Sequence, residues 1–154
     1  MRIVLQRVSR ASIRIDGDII ASIGAGLLAL VGVSPGDDAG SAAHMARKCA
    51  ELRIFADAEG RFNRSLLDAR GELLVVSQFT LLADTRRGRR PGFAGAAPPE
   101  VAEPIVRAFV EAAHDLGLSV SEGRFGAKMQ VELVNDGPVT IVLDSADLDR
   151  PRRS

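Results

Sequence analysis

The segment at residues 134–140 constrains the fold of this chain more than any other feature of its sequence. Two strand-like runs, 129–134 and 139–143, flank the tetrapeptide Asn135-Asp136-Gly137-Pro138. Asp-Gly alone predicts a hairpin turn, but proline lacks a backbone donor and is excluded from a central ladder. The tetrapeptide therefore has two interpretations: a plain surface hairpin, or a turn that presents bare backbone carbonyls to a ligand.

A second segment places polar side chains where an apolar strand ends. Residues 71–76 begin at a glycine and, apart from Glu72, are apolar, a pattern typical of a buried strand. Ser77, Gln78 and Thr80 follow directly, with Phe79 among them. Active-site groups often lie at strand ends, because a rigid element positions them and a loop exposes them. The alternative is a strand that simply becomes polar as it reaches the surface.

Composition bounds the class of protein. The 154 residues suit a single domain, which we expect over 1–148, followed by a disordered tail at 149–154. Hydrophobic residues make up 46% of the chain, with no Trp or Tyr, so the core must be largely aliphatic. Twenty basic and 20 acidic residues balance, which argues against a strongly basic nucleic-acid binder; any RNA contact needs a local patch. Cys49 is the one cysteine, which excludes an internal disulfide and favours a small core residue.

No apolar run approaches the length that spans a membrane, and the N-terminus lacks the layout of a signal peptide. We therefore expect a soluble cytoplasmic protein with no membrane partner.

Hydrophobic periodicity predicts a mixture of strands and two main helices. We expect strands at 2–8, 11–15, 18–23, 26–33, 71–76, 118–122, 129–135 and 138–143, and helices at 38–53 and 100–116. Asp16-Gly17 predicts a hairpin turn, residues 57–60 a loop, and 84–99 irregular structure; Pro104 is expected in the first turn of the second helix. Two helices cannot cover both faces of so many strands, so we predict an α/β fold with helices on one side and strands stacked on the other.

Standard catalytic devices are absent from the sequence. There is no Walker loop, HExxH or CxxC pair, and the two histidines, His44 and His114, both fall in predicted helices. A Ser-His-Asp triad is poorly supported, and we expect neither a metal site nor a cofactor. Ser77 and Thr80 are the candidate nucleophiles, but a hydroxyl needs an adjacent base. The second possibility is that the backbone N–H groups of Phe79 and Thr80 hold an oxyanion while the substrate supplies the reactive group.

Taken together, the segments 77–81 and 135–140 resemble the D-aminoacyl-tRNA deacylase family. The resemblance extends to the opening residues 1–12 and to the segments 83–93 and 123–127. The sequence departs from the family pattern at three positions outside the two signature motifs, namely Leu82, Val142 and Lys128. These departures put peripheral contacts in doubt rather than the activity.

The resemblance implies a three-layer α/β/β fold with mixed sheets and a homodimer. It implies an esterase that hydrolyses D-aminoacyl-tRNA, and glycine mischarged on tRNA, in translation proofreading. The residues that it assigns to catalysis are Ser77, Gln78, Phe79 and Thr80. It also implies a cis Gly137-Pro138 peptide that enters the partner's active site and rejects L-amino acids, supported by Arg7, Asn135 and Met129. Arg7 would clamp the turn, because guanidinium donors match carbonyl acceptors; otherwise it is an exposed strand residue.

The densest positive charge in the chain is the run of Arg86, Arg87, Arg89 and Arg90. It follows the Ser77–Thr80 motif closely, so we expect it to contact the acceptor end of tRNA, since arginine forks suit phosphates. The alternative is a solvated loop.

A second function class remains open. The chain could be a non-catalytic tRNA-binding module, like the related editing-type domain of some archaeal threonyl-tRNA synthetases. The intact 77–80 and 137–138 motifs favour the enzyme.

Overall fold

The computed structural model describes residues 1–148 and residue 150. That part of the chain contains the strands β1 (Arg2–Ile15), β2 (Asp18–Ile23), β3 (Gly26–Gly32), β4 (Phe55–Ala56), β5 (Phe62–Arg64), β6 (Glu72–Ser77), β7 (Ser119–Glu122) and β8 (Gln130–Asp144). Its helices are α1 (Ala39–Glu51), α2 (Leu66–Ala69), α3 (Pro99–Asp115) and α4 (Ser145–Leu148), with a 3-10 helix at Phe79–Leu82. The tail predicted at 149–154 falls, Arg150 apart, outside the described residues.

Six strands form one mixed sheet. β2, β1, β3, β6 and β7 are neighbours in that order, and β8 pairs with β1. β6 is parallel to both β3 and β7, whereas β1 is antiparallel to β2, β3 and β8. β4 and β5 form a separate two-stranded sheet. The prediction of a mixed α/β fold is confirmed.

The central strands β3 and β6 divide the core into two clusters, because successive side chains of a strand point to opposite faces. One face joins the apolar sides of α1 and α3, and its strand residues include Leu27, Ala29, Val31, Leu73 and Val75. The other face joins residues of β1 and β2 and partly buried residues of β8, and its members include Leu28, Leu74 and Val76. The scaffold around the end of β6 is therefore aliphatic and packed on both faces.

β1 is one continuous strand, so the prediction of two strands at 2–8 and 11–15 is wrong. Its first half, up to Val8, pairs with β3, and its second half, from Ala11, pairs with β2. The strand continues through the exposed polar residues Ser9 and Arg10 between them. The Asp16-Gly17 turn between β1 and β2 is confirmed, with φ of +50° and +85°.

β8 runs without a break through residues 135–138, so the hairpin interpretation of this tetrapeptide is wrong. Both halves of β8 pair with β1 in the same antiparallel sense instead of pairing with each other. Gln6 pairs with Thr140 and Val8 pairs with Asn135. An advance of two residues along β1 therefore corresponds to five residues along β8. The extra residues of β8 form a large β-bulge, a place where one strand carries residues that are not paired with its neighbour. We call residues 136–138 the Gly-Pro bulge.

The two long helices confirm their predicted positions. Asp38 caps α1, where its carboxylate accepts a hydrogen bond from the Ser41 N–H at 2.8 Å. Met45 and Cys49 are fully buried on its inner side, and burial raises the pKa of the Cys49 thiol from 9.0 to about 12. Cys49 is therefore a neutral core residue, as predicted.

α3 begins at Pro99, and this start makes one prediction wrong: Pro104 lies inside the helix and not in its first turn. Pro104 is exposed, so water can reach the carbonyl of Glu100 that loses its usual partner. The predicted buried face is confirmed by Ala102, Val106, Phe109 and Ala113, while Ile105 and Leu116 are only partly buried.

The loop predicted at 57–60 is the turn of a short hairpin between β4 and β5, and the helix α2 that follows was also missed. Strands of two and three residues are too short to show a period in the sequence. No helix among the described residues is both long enough and apolar enough to cross a membrane.

Candidate active site

Ser77, the last residue of β6, is half-buried and follows four fully buried residues of that strand. The chain then turns, and the Gln78 N–H donates to the Val31 carbonyl of β3 at 2.8 Å. The 3-10 helix starts at Phe79, and its first backbone bond runs from the Leu81 N–H to the Gln78 carbonyl at 3.3 Å. The N–H groups that precede the first bonded one have no partner inside a helix. The amides of Phe79 and Thr80 are in this position, beside Ser77.

Thr80 is exposed, and its hydroxyl accepts a hydrogen bond from the Gln78 side-chain amide. An amide N–H is a donor and cannot remove a proton from a hydroxyl. His44 and His114, which lie in α1 and α3, are not at this site. Within the part of the chain that the structure describes, this arrangement orients Thr80 and offers it no base.

A cleft of about 540 Å³ opens beside the end of β6. Ser77, Gln78 and Phe79 lie on one side, and Met129 and Phe125 belong to its wall. Most of the remaining lining is apolar and comes from Val33 just after β3, from the start of α3 and from the segment before it. An apolar cleft with few polar groups at one end is the usual form of a small-molecule site.

Phe79 and Phe93 both line this cleft, with ring centroids 4.9 Å apart and an interplanar angle of 69°. Phe93 and Phe125 were not among the predicted site residues. Both lie in segments that carried the resemblance, 83–93 and 123–127, and a lone phenylalanine in a loop gives no further signal.

The Gly-Pro bulge is held by two side chains. Arg7 donates from Nε to the Asp136 carbonyl at 2.8 Å, and the Gly137–Pro138 peptide bond that follows is cis. Asn135 spans the base of the bulge: its Oδ1 accepts from the Val139 N–H at 2.7 Å, and its Nδ2 donates to the Thr140 hydroxyl at 3.1 Å. Polar contacts, not burial, therefore hold the bulge, since Gly137 and Pro138 are exposed.

The run of arginines forms a loop closed by a backbone bridge. Asp84 and Gly92 exchange two hydrogen bonds of 2.7 and 2.9 Å. Arg86 folds back onto Asp84 with two side-chain contacts of 2.8 and 2.7 Å, and this guanidinium holds the pKa of the Asp84 carboxyl below its usual range. Arg87, Arg89 and Arg90 are exposed and have no ion-pair partner in the described part of the chain.

A sequence profile of the D-Tyr-tRNA(Tyr) deacylase family matches residues 4–144. The chain belongs to this family. It is thereby a hydrolase of the deacylase type, which acts on an ester bond. Its relatives include a D-aminoacyl-tRNA deacylase from Roseiflexus castenholzii, 64% identical over 99% of this chain and 97% of the relative. One from Thermomicrobium roseum is 60% identical over 96% of each chain.

Solved structures resemble the deacylase fold found here. A protein described as c-Myc DNA unwinding element binding protein superposes with a TM-score of 0.88 at 42% identity, over 94% of this chain and 98% of its own. A probable eukaryotic D-amino acid tRNA deacylase superposes with a TM-score of 0.81 over 92% of this chain and 97% of its own. At 16% identity, the second comparison shows the fold alone.

In the described part of this deacylase family member, only part of the predicted site comes together. Ser77, Gln78, Phe79 and Met129 line the cleft. Thr80 lies next to them in the chain but outside the lining, as do the arginines of the 86–90 loop. Gly137, Pro138, Arg7 and Asn135 form their own group at the bulge of β8, which is also not part of the lining. One chain therefore presents two separate groups of candidate residues.

Proposed function

We propose that this protein hydrolyses the ester that joins a D-amino acid to tRNA, and glycine mischarged on tRNA, as a proofreading step of translation in the cytoplasm. The observation that carries the proposal is the end of β6, where Ser77, Gln78 and Phe79 line an apolar cleft at the start of the 3-10 helix. Family membership supports the choice of an aminoacyl ester as substrate.

In the proposed reaction, water attacks the ester carbonyl and the carbonyl oxygen becomes an oxyanion. The N–H groups of Phe79 and Thr80 stabilise that charge, as preorganised donors do in acyl transfer. The ribose hydroxyl next to the ester orients or activates the water. Among the described residues, the hydrogen-bond partner of the Thr80 hydroxyl is the Gln78 amide, which is not a base. The bond between the acyl carbon and the ribose oxygen then breaks, the ribose oxygen takes a proton, and the amino acid leaves.

The Gly-Pro bulge is proposed to reject L-amino acids. Its Gly137-Pro138 pair offers only backbone and a proline ring, with no side-chain donor or acid, so the pair is suited to exclusion by contact and not to attraction. An L-side chain would meet this backbone, a D-side chain would point away, and glycine has no side chain to reject.

A homodimer with a three-layer α/β/β arrangement completes the proposal. In one subunit the bulge does not line the cleft, so we propose that a second copy brings its Gly137-Pro138 there. Val134 and Val142, on either side of the bulge in β8, are 39% and 64% exposed and offer apolar surface for such contact. Arg87, Arg89 and Arg90 are proposed to bind phosphates of the acceptor end.

The deciding experiment is deacylation of D-Tyr-tRNA, L-Tyr-tRNA and Gly-tRNA by the purified protein, with its mass measured by light scattering. We expect a dimer that releases D-tyrosine and glycine and spares the L-ester. Binding of all three without hydrolysis would favour the non-catalytic tRNA-binding module.

A further inference from the structure

The short hairpin of β4 and β5 contacts the main sheet at a residue that already has a role in the proposed site. Phe62, the first residue of β5, is 55% exposed, and this large apolar side chain is not part of either core cluster. The Arg7 guanidinium carbon lies 5.4 Å from the centre of its ring. A guanidinium within about 6 Å of an aromatic ring centre is attracted to the ring face. Phe62 therefore has a specific partner in Arg7.

Arg7 connects three separate parts of the chain. Its Nε donates to the Asp136 carbonyl at 2.8 Å, and its Nη1 donates to the Ile54 carbonyl, just before β4, at 2.7 Å. A guanidinium is planar, and all its donors lie in that plane. The two carbonyls therefore restrain Arg7 within its plane, and the Phe62 ring restrains its tilt. Two of these three restraints, Ile54 and Phe62, come from the β4–β5 region.

We propose that Phe62 is a positioning residue that sets the orientation of the Gly-Pro bulge through Arg7. The ring holds the guanidinium, the guanidinium holds the Asp136 carbonyl, and that carbonyl belongs to the residue directly before Gly137. The inference rests on the proposed function, because it assigns Phe62 to chiral discrimination.

The proposal separates Phe62 from a residue that only packs. Loss of the ring leaves both Arg7 hydrogen bonds chemically possible but frees the tilt of the guanidinium. The proposed phosphate contacts lie on the separate loop 86–90, so tRNA affinity is not touched. Loss of the ring should therefore change kcat and the ratio of D- to L-ester hydrolysis, and leave KM unchanged.

The test compares Phe62→Leu, which removes the ring, with Phe62→Tyr, which keeps it. Ile19→Ala is the matched control, because Ile19 is 53% exposed in β2 and belongs to neither core cluster. Rates for D-Tyr-tRNA and L-Tyr-tRNA are measured for each variant, with kcat and KM resolved. We expect Phe62→Leu to lower the D-to-L ratio by about 3- to 30-fold, the range of one cation–π contact, with KM unchanged. Phe62→Tyr and Ile19→Ala should keep the wild-type ratio.

A double-mutant cycle with Arg7→Ala completes the test. If Phe62 acts through Arg7, Phe62→Leu should change nothing further once Arg7 is gone. An unchanged ratio in Phe62→Leu, an equal loss in both backgrounds, failure of Phe62→Tyr to retain the ratio, or a changed oligomeric mass would each overturn the proposal.

An NMR measurement keeps this inference distinct from the proposed function. The Arg7 Nε–H resonance should shift in Phe62→Leu, because the ring current is lost, and should stay near its wild-type position in Phe62→Tyr. A wild-type protein that hydrolyses no aminoacyl ester would overturn the proposed function, whatever this resonance shows. An active wild-type protein whose Arg7 resonance ignores Phe62→Leu would overturn only the role of Phe62.

Discussion

The end of β6 and the Gly-Pro bulge are held in place by different forces. Ser77 follows Leu73, Leu74, Val75 and Val76, all of which are at most 2% exposed. The bulge is exposed at Gly137 and Pro138 and depends on contacts of Arg7 and Asn135. Burial couples a site to global stability, whereas a few hydrogen bonds at an exposed loop couple it mainly to local geometry. Changes around β6 should therefore destabilise the protein, and changes at the bulge should leave it folded and alter its selectivity.

The largest effect is expected from Leu73→Ala in β6. Leu73 is fully buried in the cluster that joins the sheet to α1 and α3, so the substitution leaves a cavity. We expect a loss of about 2–5 kcal/mol in the free energy of unfolding, measured by urea denaturation. The protein that remains folded should keep the wild-type ratio of D- to L-ester hydrolysis. A variant with wild-type stability and reduced selectivity would contradict the contrast between the two regions.

Gly137→Ala should act in the opposite way. Gly137 has φ of +154°, and an added Cβ would lie 2.6 Å from Val139 Cγ2 and 2.7 Å from Val139 N. The bulge must shift, and a displacement of about 1 Å at a reacting site can cost about 100-fold in rate. We expect deacylation of D-Tyr-tRNA to fall on that scale in single-turnover assays. Gly17→Ala is the control, since Gly17 also has a positive φ, +85°, but an added Cβ meets nothing within 4 Å. Equal activity of the two variants would remove the bulge from the site.

The arginine loop tests whether tRNA contact belongs to a third region. Replacing Arg87, Arg89 and Arg90 with alanine should flatten the slope of log affinity against log salt by roughly two to three units, because fewer counterions are released. Arg86→Ala is the matched variant, and it should change that slope much less because Arg86 is paired with Asp84. An identical slope in the triple variant and the wild type would exclude the loop from the interface.

The smallest effect is expected from Thr80→Ala. If Thr80 only positions the substrate, turnover of D-Tyr-tRNA should fall by about tenfold or less, the scale of one hydrogen bond. Thr80→Ser keeps the hydroxyl and should remain close to wild type. Mass spectrometry of quenched reactions should find no acyl group on the protein. A trapped acyl-Thr80 species would contradict hydrolysis assisted by the substrate.

Sequence reasoning reached the strand end more completely than the bulge. The largely apolar run 71–76 is a local signal, and β6 confirms it as a strand. The polar side chains after it are also a local signal, and Ser77 and Gln78 line the cleft. The tetrapeptide 135–138 also looked local, but its hairpin interpretation was wrong. This segment pairs with β1, more than 120 residues away in the sequence. A turn motif does not indicate which strand will pair with the residues on either side of it.

The sequence by itself determined the class of fold, the buried faces of both long helices and the turn at Asp16-Gly17. These follow from periodicity, turn chemistry and glycine conformation, which act over a few residues. Only the tertiary structure decided that β1 pairs with both halves of β8, that Arg86 is bound to Asp84, and that Phe62 lies against Arg7. Sheet pairing and side-chain contacts satisfy donors and surfaces from distant parts of the chain, so their partners are chosen only when the whole core is assembled.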